Sequence, residues 1–222
     1  MKSFIKMILQ VLYRMDYILL YVFFRSIYKI KNNQILFLSD SRDTMSGNFY
    51  YIEKSLDDSY IIKKHLYASS KIPHNKRAIC KDMATSHYIL VDDFYPIIYP
   101  IPLNKKTKLI QVWHAMGAFK TVGFARKQNT DKFSMTHRNY TDVIVSSPAI
   151  RKDWAEAFRM KIKNVHSIGI PRTDIFFDES YKRKIVPKVL ECFPQCKTAN
   201  EVIMYAPTFR GANAKHASFP MD

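Results

Sequence analysis

Glycine and cysteine are scarce in this 222-residue chain, acidic residues are outnumbered, and its N-terminal apolar segment is short. With five glycines and 14% aromatic residues, the composition argues against a disordered chain. Cys80, Cys192 and Cys196 are the only cysteines. Three thiols make no disulfide framework, and the odd count fits a reducing compartment. Cys192 and Cys196 have C-x3-C spacing without a second cysteine pair or a histidine pair at finger spacing, so no metal site is expected. In the N-terminal segment the longest uncharged run, Tyr17 to Phe24, falls far short of the ~20 residues that span a bilayer. Arg14 and Asp16 interrupt the apolar region and no small-residue cleavage site follows, which disfavours a secretory signal. Internal repeats are absent.

What is there suffices for a substantial core. The chain is 47% hydrophobic, and its length suits one large domain or two small ones. Lys and Arg total 35 against 19 Asp and Glu, a net charge of +16. Such a field favours phosphorylated substrates, anionic lipid headgroups or nucleic acid. The basic residues are spread along the chain, and the absence of an RNP or zinc-finger pattern argues against nucleic acid.

Residues 1–30 are apolar and basic. Phe4, Ile5, Ile8, Leu9, Leu12, Leu19, Val22, Phe23, Ile27 and Ile30 cluster on one arc at 100° per residue, with Lys6, Gln10, Arg14, Arg25 and Lys29 opposite. This predicts an amphipathic helix at an anionic membrane surface, with the cations toward lipid headgroups. The alternative is a helix packed on the protein's own core.

After Asn32-Asn33 the pattern alternates. Gln34–Leu38 reads as a strand, ending in the polar loop Ser39-Asp40-Ser41-Arg42-Asp43, with a helix over Phe49–Leu56. Further strands are predicted at Tyr60–Ile62, Ala84–Val91, Lys108–Trp113, Thr141–Val145 and Asn164–Ile168. Ser147 and Pro148 suit the cap and first turn of a helix over Ala149–Met160. Strands alternating with helices imply an α/β fold with a mostly parallel sheet covered on both faces. Past Asp174 a basic, helix-prone stretch and the apolar run Glu201–Ala206 read as the start of a second unit. The expected divisions are 1–30, 31–176 and 177–222.

One histidine stands out. His114 follows the strand Lys108–Trp113 and precedes Gly117, Lys120 and Gly123, at the strand end where open α/β sheets bind ligands. A core histidine beside Trp113 is the alternative.

The run Gln111-Val112-Trp113-His114-Ala115-Met116-Gly117-Ala118-Phe119-Lys120-Thr121-Val122-Gly123 resembles the Trp-His-Gly-x-x-x-Lys-x-x-Gly signature of the CDP-glycerol glycerophosphotransferases that build wall teichoic acid. Three further blocks follow in that family's order: Ile144–Pro148 with the next helix, Ile168–Asp174, and Met204–Arg210. The resemblance implies a GT-B-like architecture of two Rossmann-like domains, the second incomplete here. It also implies transfer of glycerol phosphate from CDP-glycerol to a lipid-linked teichoic acid acceptor, at the cytoplasmic face of the membrane and without a further cofactor. His114 matches the motif histidine and is expected to be the catalytic base. Lys120, Arg172, Asp174 and Arg210 are candidate substrate-binding residues, with Asp40, Arg42 and Asn48 as candidate acceptor contacts. A solvated Lys120, an Arg172–Asp174 pairing and a loop Arg210 stand as alternatives. His137 and Arg138 read as a solvated loop. Ala115-Met116 departs from the family's Gly-Thr, and nothing after Arg210 matches the family's second histidine motif or its Asp-Tyr-Ser-Ser-type segment. A non-catalytic remnant that binds anionic membrane or polymer is the competing reading.

Overall fold

A computed structural model describes residues 2–69, 71–115, 117–119, 121–126 and 134–205. It resolves two compact units, Met1–Asp174 and Ile175–Asp222. The first is built on a six-stranded, wholly parallel sheet: β1 (Lys31–Ser39), β2 (Ile61–Leu66), β3 (Ser86–Val91), β4 (Lys108–Gln111), β5 (Asp142–Val145) and β6 (Val165–Ser167), in the order β2-β1-β3-β4-β5-β6. The order reverses between β1 and β3, and the crevice beyond the strand C-termini at such a switch is where doubly wound sheets bind ligands.

Alternation along β1 sorts the core into two layers. Leu36 and Leu38 face a cluster with Ile89, Val91 and Leu109, while Ile35 and Phe37 join Leu90, Val112 and Phe49 of α3 (Asn48–Lys54) on the opposite side. Beyond β4 a third cluster gathers Trp113, Val143, Val145 and Val165 under Trp154 and Phe158, around α5 (Arg151–Ala157).

The N-terminal segment forms two helices, α1 (Lys2–Tyr13) and α2 (Met15–Ile27), bent by 62° at Arg14. A single amphipathic helix was expected, and the break divides it. The core-packing alternative holds for one face of α2. Tyr17, Tyr21 and Phe24 of α2 are buried with Ile79, Cys80 and Met83 of α4 (Lys76–Thr85). The apolar arc of the sequence (Phe4, Ile5, Ile8, Leu9, Leu12, Leu19, Val22, Phe23 and Ile27) stays exposed. On the polar side Arg25 donates to the Pro102 carbonyl at 3.0 Å, while Lys29 stays exposed. Among the described residues no single helix is long and apolar enough to cross a membrane.

Several expected boundaries shift for physical reasons. Ala84 and Thr85 belong to α4, which the sequence reading missed although Asn75 caps it by accepting from the Ala78 amide at 3.1 Å. The ladder of β4 stops at Gln111, because Trp113 takes a left-handed φ of 32°. Ser147 makes no capping bond; Pro148 opens a 3₁₀ turn that leads into α5. Lys63 to Leu66 continue β2, an edge strand whose half-buried Lys63 and exposed Lys64 blur the apolar pattern.

In the second unit, α6 (Glu179–Cys192) is capped by the Asp178 carboxylate, which accepts from the Tyr181 amide at 3.0 Å. The strand expected over Glu201–Ala206 is not formed over its described part: 201–205 are exposed and irregular. A strand needs a neighbouring strand to take up its backbone hydrogen bonds, and among the described residues no strand pairs with 201–205.

The two faces of α2 make opposite demands on stability. Tyr21 is fully buried and its hydroxyl accepts from the Asn104 amide at 2.9 Å, so Tyr21→Ala should cost about 3–5 kcal/mol. Phe23→Ala, on the exposed face, should stay within about 0.5 kcal/mol. Urea denaturation of the two variants is the check.

Candidate active site at the strand ends

Gln111, the last residue of β4, is fully buried and shapes the turn that follows. Its amide nitrogen donates to the Asp93 carbonyl at 3.1 Å and the Tyr140 hydroxyl at 2.9 Å, and its oxygen accepts from the Trp113 amide at 2.9 Å. From the β1–α3 side, the buried Asn48 amide donates to the Val112 and Trp113 carbonyls at 2.9 and 2.5 Å, and its oxygen accepts from the Arg172 amide at 3.1 Å. One side chain therefore ties the ends of β1, β4 and β6 together. The left-handed Trp113 backbone, costly for a bulky residue, is held between these two amides.

Trp113 is buried against Trp154 and Phe158, with ring centroids 5.8 and 5.7 Å away. His114 stacks on its outer face at 4.8 Å. The imidazole is close to half exposed, with Nδ1 3.6 Å from Asp93 Oδ2. That separation is beyond a hydrogen bond yet close enough for the carboxylate to bias the ring's orientation. A cleft of about 690 Å³ opens here, lined by Asp93, His114, Arg126, His137 and Arg172 among others. Gly123, also on its wall, has φ 52°, and a Cβ there would collide with the Ala157 carbonyl. The glycine is required by that close approach.

His137 departs from the solvated loop expected of it. It is buried among Phe94, Tyr99, Tyr140 and Phe158, with Nδ1 3.3 Å from the Tyr140 hydroxyl. Burial, with a smaller contribution from Arg126, pushes its pKa down to about 4. The ring is neutral at pH 7.

The other candidates separate cleanly. Arg172 lines the His114 cleft; Asp174 is exposed, does not line it, and forms no ion pair with Arg172 among the described residues. Asp40 is buried and bonded to His74 Nε2 at 2.8 Å, and burial raises its pKa against the pull of that histidine. Arg42 Nε meets the buried Asp92 carboxylate at 2.5 Å, while its Nη1 donates to the Ser46 carbonyl. Asp40 and Arg42 thus brace the β1 loop, and Asn48 spends its polar atoms on backbone. Lys120 and Arg210 lie outside the described residues. Among those described, no cluster of three or more His, Cys, Asp or Glu side chains suits a metal ion. The sequence reading missed Asp93, Gln111 and His137. Asp92-Asp93 follows β3 in the sequence, but only the fold brings Asp93 beside His114.

Residues 20–222 match the family described as CDP-Glycerol:Poly(glycerophosphate) glycerophosphotransferase. The chain belongs to this family. The chain is 41% identical over 203 residues to the teichoic acid poly(ribitol-phosphate) polymerase of Bacillus spizizenii, covering 87% of this chain and 32% of the relative. It is 43% identical over 203 residues to the teichoic acid ribitol-phosphate polymerase TarL of Staphylococcus aureus, covering 86% and 36%. The chain thus spans about a third of the length of these relatives. The wall teichoic acid polymerase TagF has a similar fold, with a TM-score of 0.54 at 15% identity over 84% of this chain and 53% of that one. The α/β fold is GT-B-like in the part the chain covers, and the family's work is transfer in teichoic acid biosynthesis.

Two measurements probe this arrangement. Asn48→Asp keeps the volume but sets a carboxylate against two carbonyls, and should cost about 3 kcal/mol or more, from lost buried hydrogen bonds and repulsion. Near-ultraviolet circular dichroism should show the Trp113 environment altered. For His137 the folded pKa lies below the unfolded value, so its contribution is present above pH 6.5 and lost as the pH falls toward 4. The loss amounts to roughly 3 kcal/mol, and a His137→Phe chain should show a shallower fall in urea midpoint across that window.

Proposed function

We propose that this region is the acceptor side of a teichoic acid polyol-phosphate transferase, with His114 as the general base. The observation that carries the reading is the half-exposed His114, anchored on Trp113 and flanked by Asp93, in a cleft that also holds Arg172 and Arg126. The imidazole takes the proton of the acceptor's terminal hydroxyl. That oxygen attacks the phosphorus of the polyol phosphate, the bond to CMP breaks, and CMP departs with the electron pair. A positioned base of this kind contributes on the order of 10²–10⁴-fold. Arg172 and Arg126, with Lys120 of the family motif, offset the phosphate charge.

The family's description speaks for CDP-glycerol as donor. The similarity to ribitol-phosphate polymerases, above the 28% identity to the glycerol-phosphate primase of Bacillus subtilis, favours a CDP-activated ribitol phosphate instead. CMP release from each donor on a lipid-linked acceptor distinguishes them. It is measured with this chain and with the chain continued by the donor-side half of a ribitol-phosphate polymerase. Turnover in either, lost by ~10²-fold or more in His114→Ala, is expected. Its absence from both, with acceptor and membranes supplied, would leave only a non-catalytic binding role.

The same reading places the protein peripherally on the cytoplasmic membrane face. The exposed apolar arc of α1 and α2 enters the interface, while Tyr17, Tyr21 and Phe24 of α2 pack on the protein. Leu19→Ser with Phe23→Ser should abolish most sedimentation with anionic liposomes; undiminished sedimentation would refute the membrane face.

A further inference from the structure

Arg14 sits at the break between α1 and α2. It helps line a separate cavity of about 220 Å³, together with Gln10, Tyr99 and Thr136. This cavity and the His114 cleft share Phe94 and Thr136 as lining residues, so the two adjoin. The guanidinium donates to the Gln10 carbonyl at 3.4 Å and lies 5.6 Å from the Tyr13 ring centroid. Neither is an anion. The nearest acid in sequence, Asp16, is taken by Lys76. Burial lowers the Arg14 pKa, and among the described residues no carboxylate pairs with it.

A partly desolvated guanidinium facing a cavity of this size is complementary to a tetrahedral oxyanion, which it can grip through two parallel N–H donors. We propose that the cavity at the α1–α2 break is a phosphate subsite, in which Arg14 holds a phosphate of the acceptor or of a lipid headgroup while the acceptor's hydroxyl end reaches His114. The assignment rests on the acceptor reading of the cleft and deepens it. It gives the bend a use: the cation at the junction of α1 and α2 lines a cavity that adjoins the site.

The test is binding by the 222-residue chain, with a short soluble glycerol-phosphate oligomer as one probe and phosphatidylcholine vesicles with or without phosphatidylglycerol as the other. Arg14→Gln should weaken one of them roughly tenfold, and Arg14→Lys, which keeps the charge but loses the two-donor grip, should recover only part of that loss. Loss confined to the oligomer identifies an acceptor phosphate; loss confined to the phosphatidylglycerol-dependent part identifies a headgroup. In the wild-type chain the Arg14 Nε–H resonance should shift on titration with the same probe, a readout that needs no variant. Failure of the wild-type chain to bind either probe, an unmoved Arg14 resonance, or full binding by Arg14→Gln would overturn the proposal. CMP release plays no part in these readouts, so failure of the transfer reading would show separately.

Discussion

The Asn48 side chain is the constraint on which the site depends. It carries hydrogen bonds to three backbone groups on two different strand ends, Val112 and Trp113 after β4 and Arg172 after β6, while itself following β1. Parallel sheets deliver their loops to one edge but do not fix the loops relative to each other. A buried amide with all its groups engaged does so, because any displacement leaves a polar group unpaired at a cost of about 1–3 kcal/mol. Gln111 does the same work from the β3 side by joining the Asp93 carbonyl to the Trp113 amide. Together they hold Trp113 in a left-handed conformation, and Trp113 supplies the flat surface on which His114 rests.

Electrostatics then divides the strand-end groups by task. Arg42 with Asp92 and His74 with Asp40 are inward pairs near the β1 end. They brace the loop, since a buried charge with a close partner is better satisfied by that partner than by a passing ligand. His114 and Arg172 keep access to the cleft. His137, neutral and walled by aromatic rings, contributes a polar ring without adding charge.

Much of this was legible in the residues. Periodicity exposed the parallel α/β sheet, and the Trp-His motif with its ordered companions pointed to the family. The apolar arc of residues 1–30 was also legible, though its break at Arg14 was not, because α-helical periodicity carries across a bend. Helix α4 was missed because its apolar positions merge into the apolar run of β3, and only the Asn75 cap marks its start. The partnership of Asp93 with His114 depends on β3 and β4 being neighbours, a non-local fact that one sequence does not display. Asn48 read as a ligand contact because a polar residue in a strand-end loop looks the same whether it faces substrate or backbone.

The central claim is that the acceptor's hydroxyl end meets His114 in the cleft beside Arg172. The most direct measurement is a titration of the histidine ring resonances with a short polyol-phosphate oligomer. The account predicts that the His114 signals shift and those of His137, deeper in the same cleft, follow, while His166, bonded to Asp142 at 2.7 Å away from the cleft lining, stays in place. Shifts at His166 with His114 unmoved would contradict it.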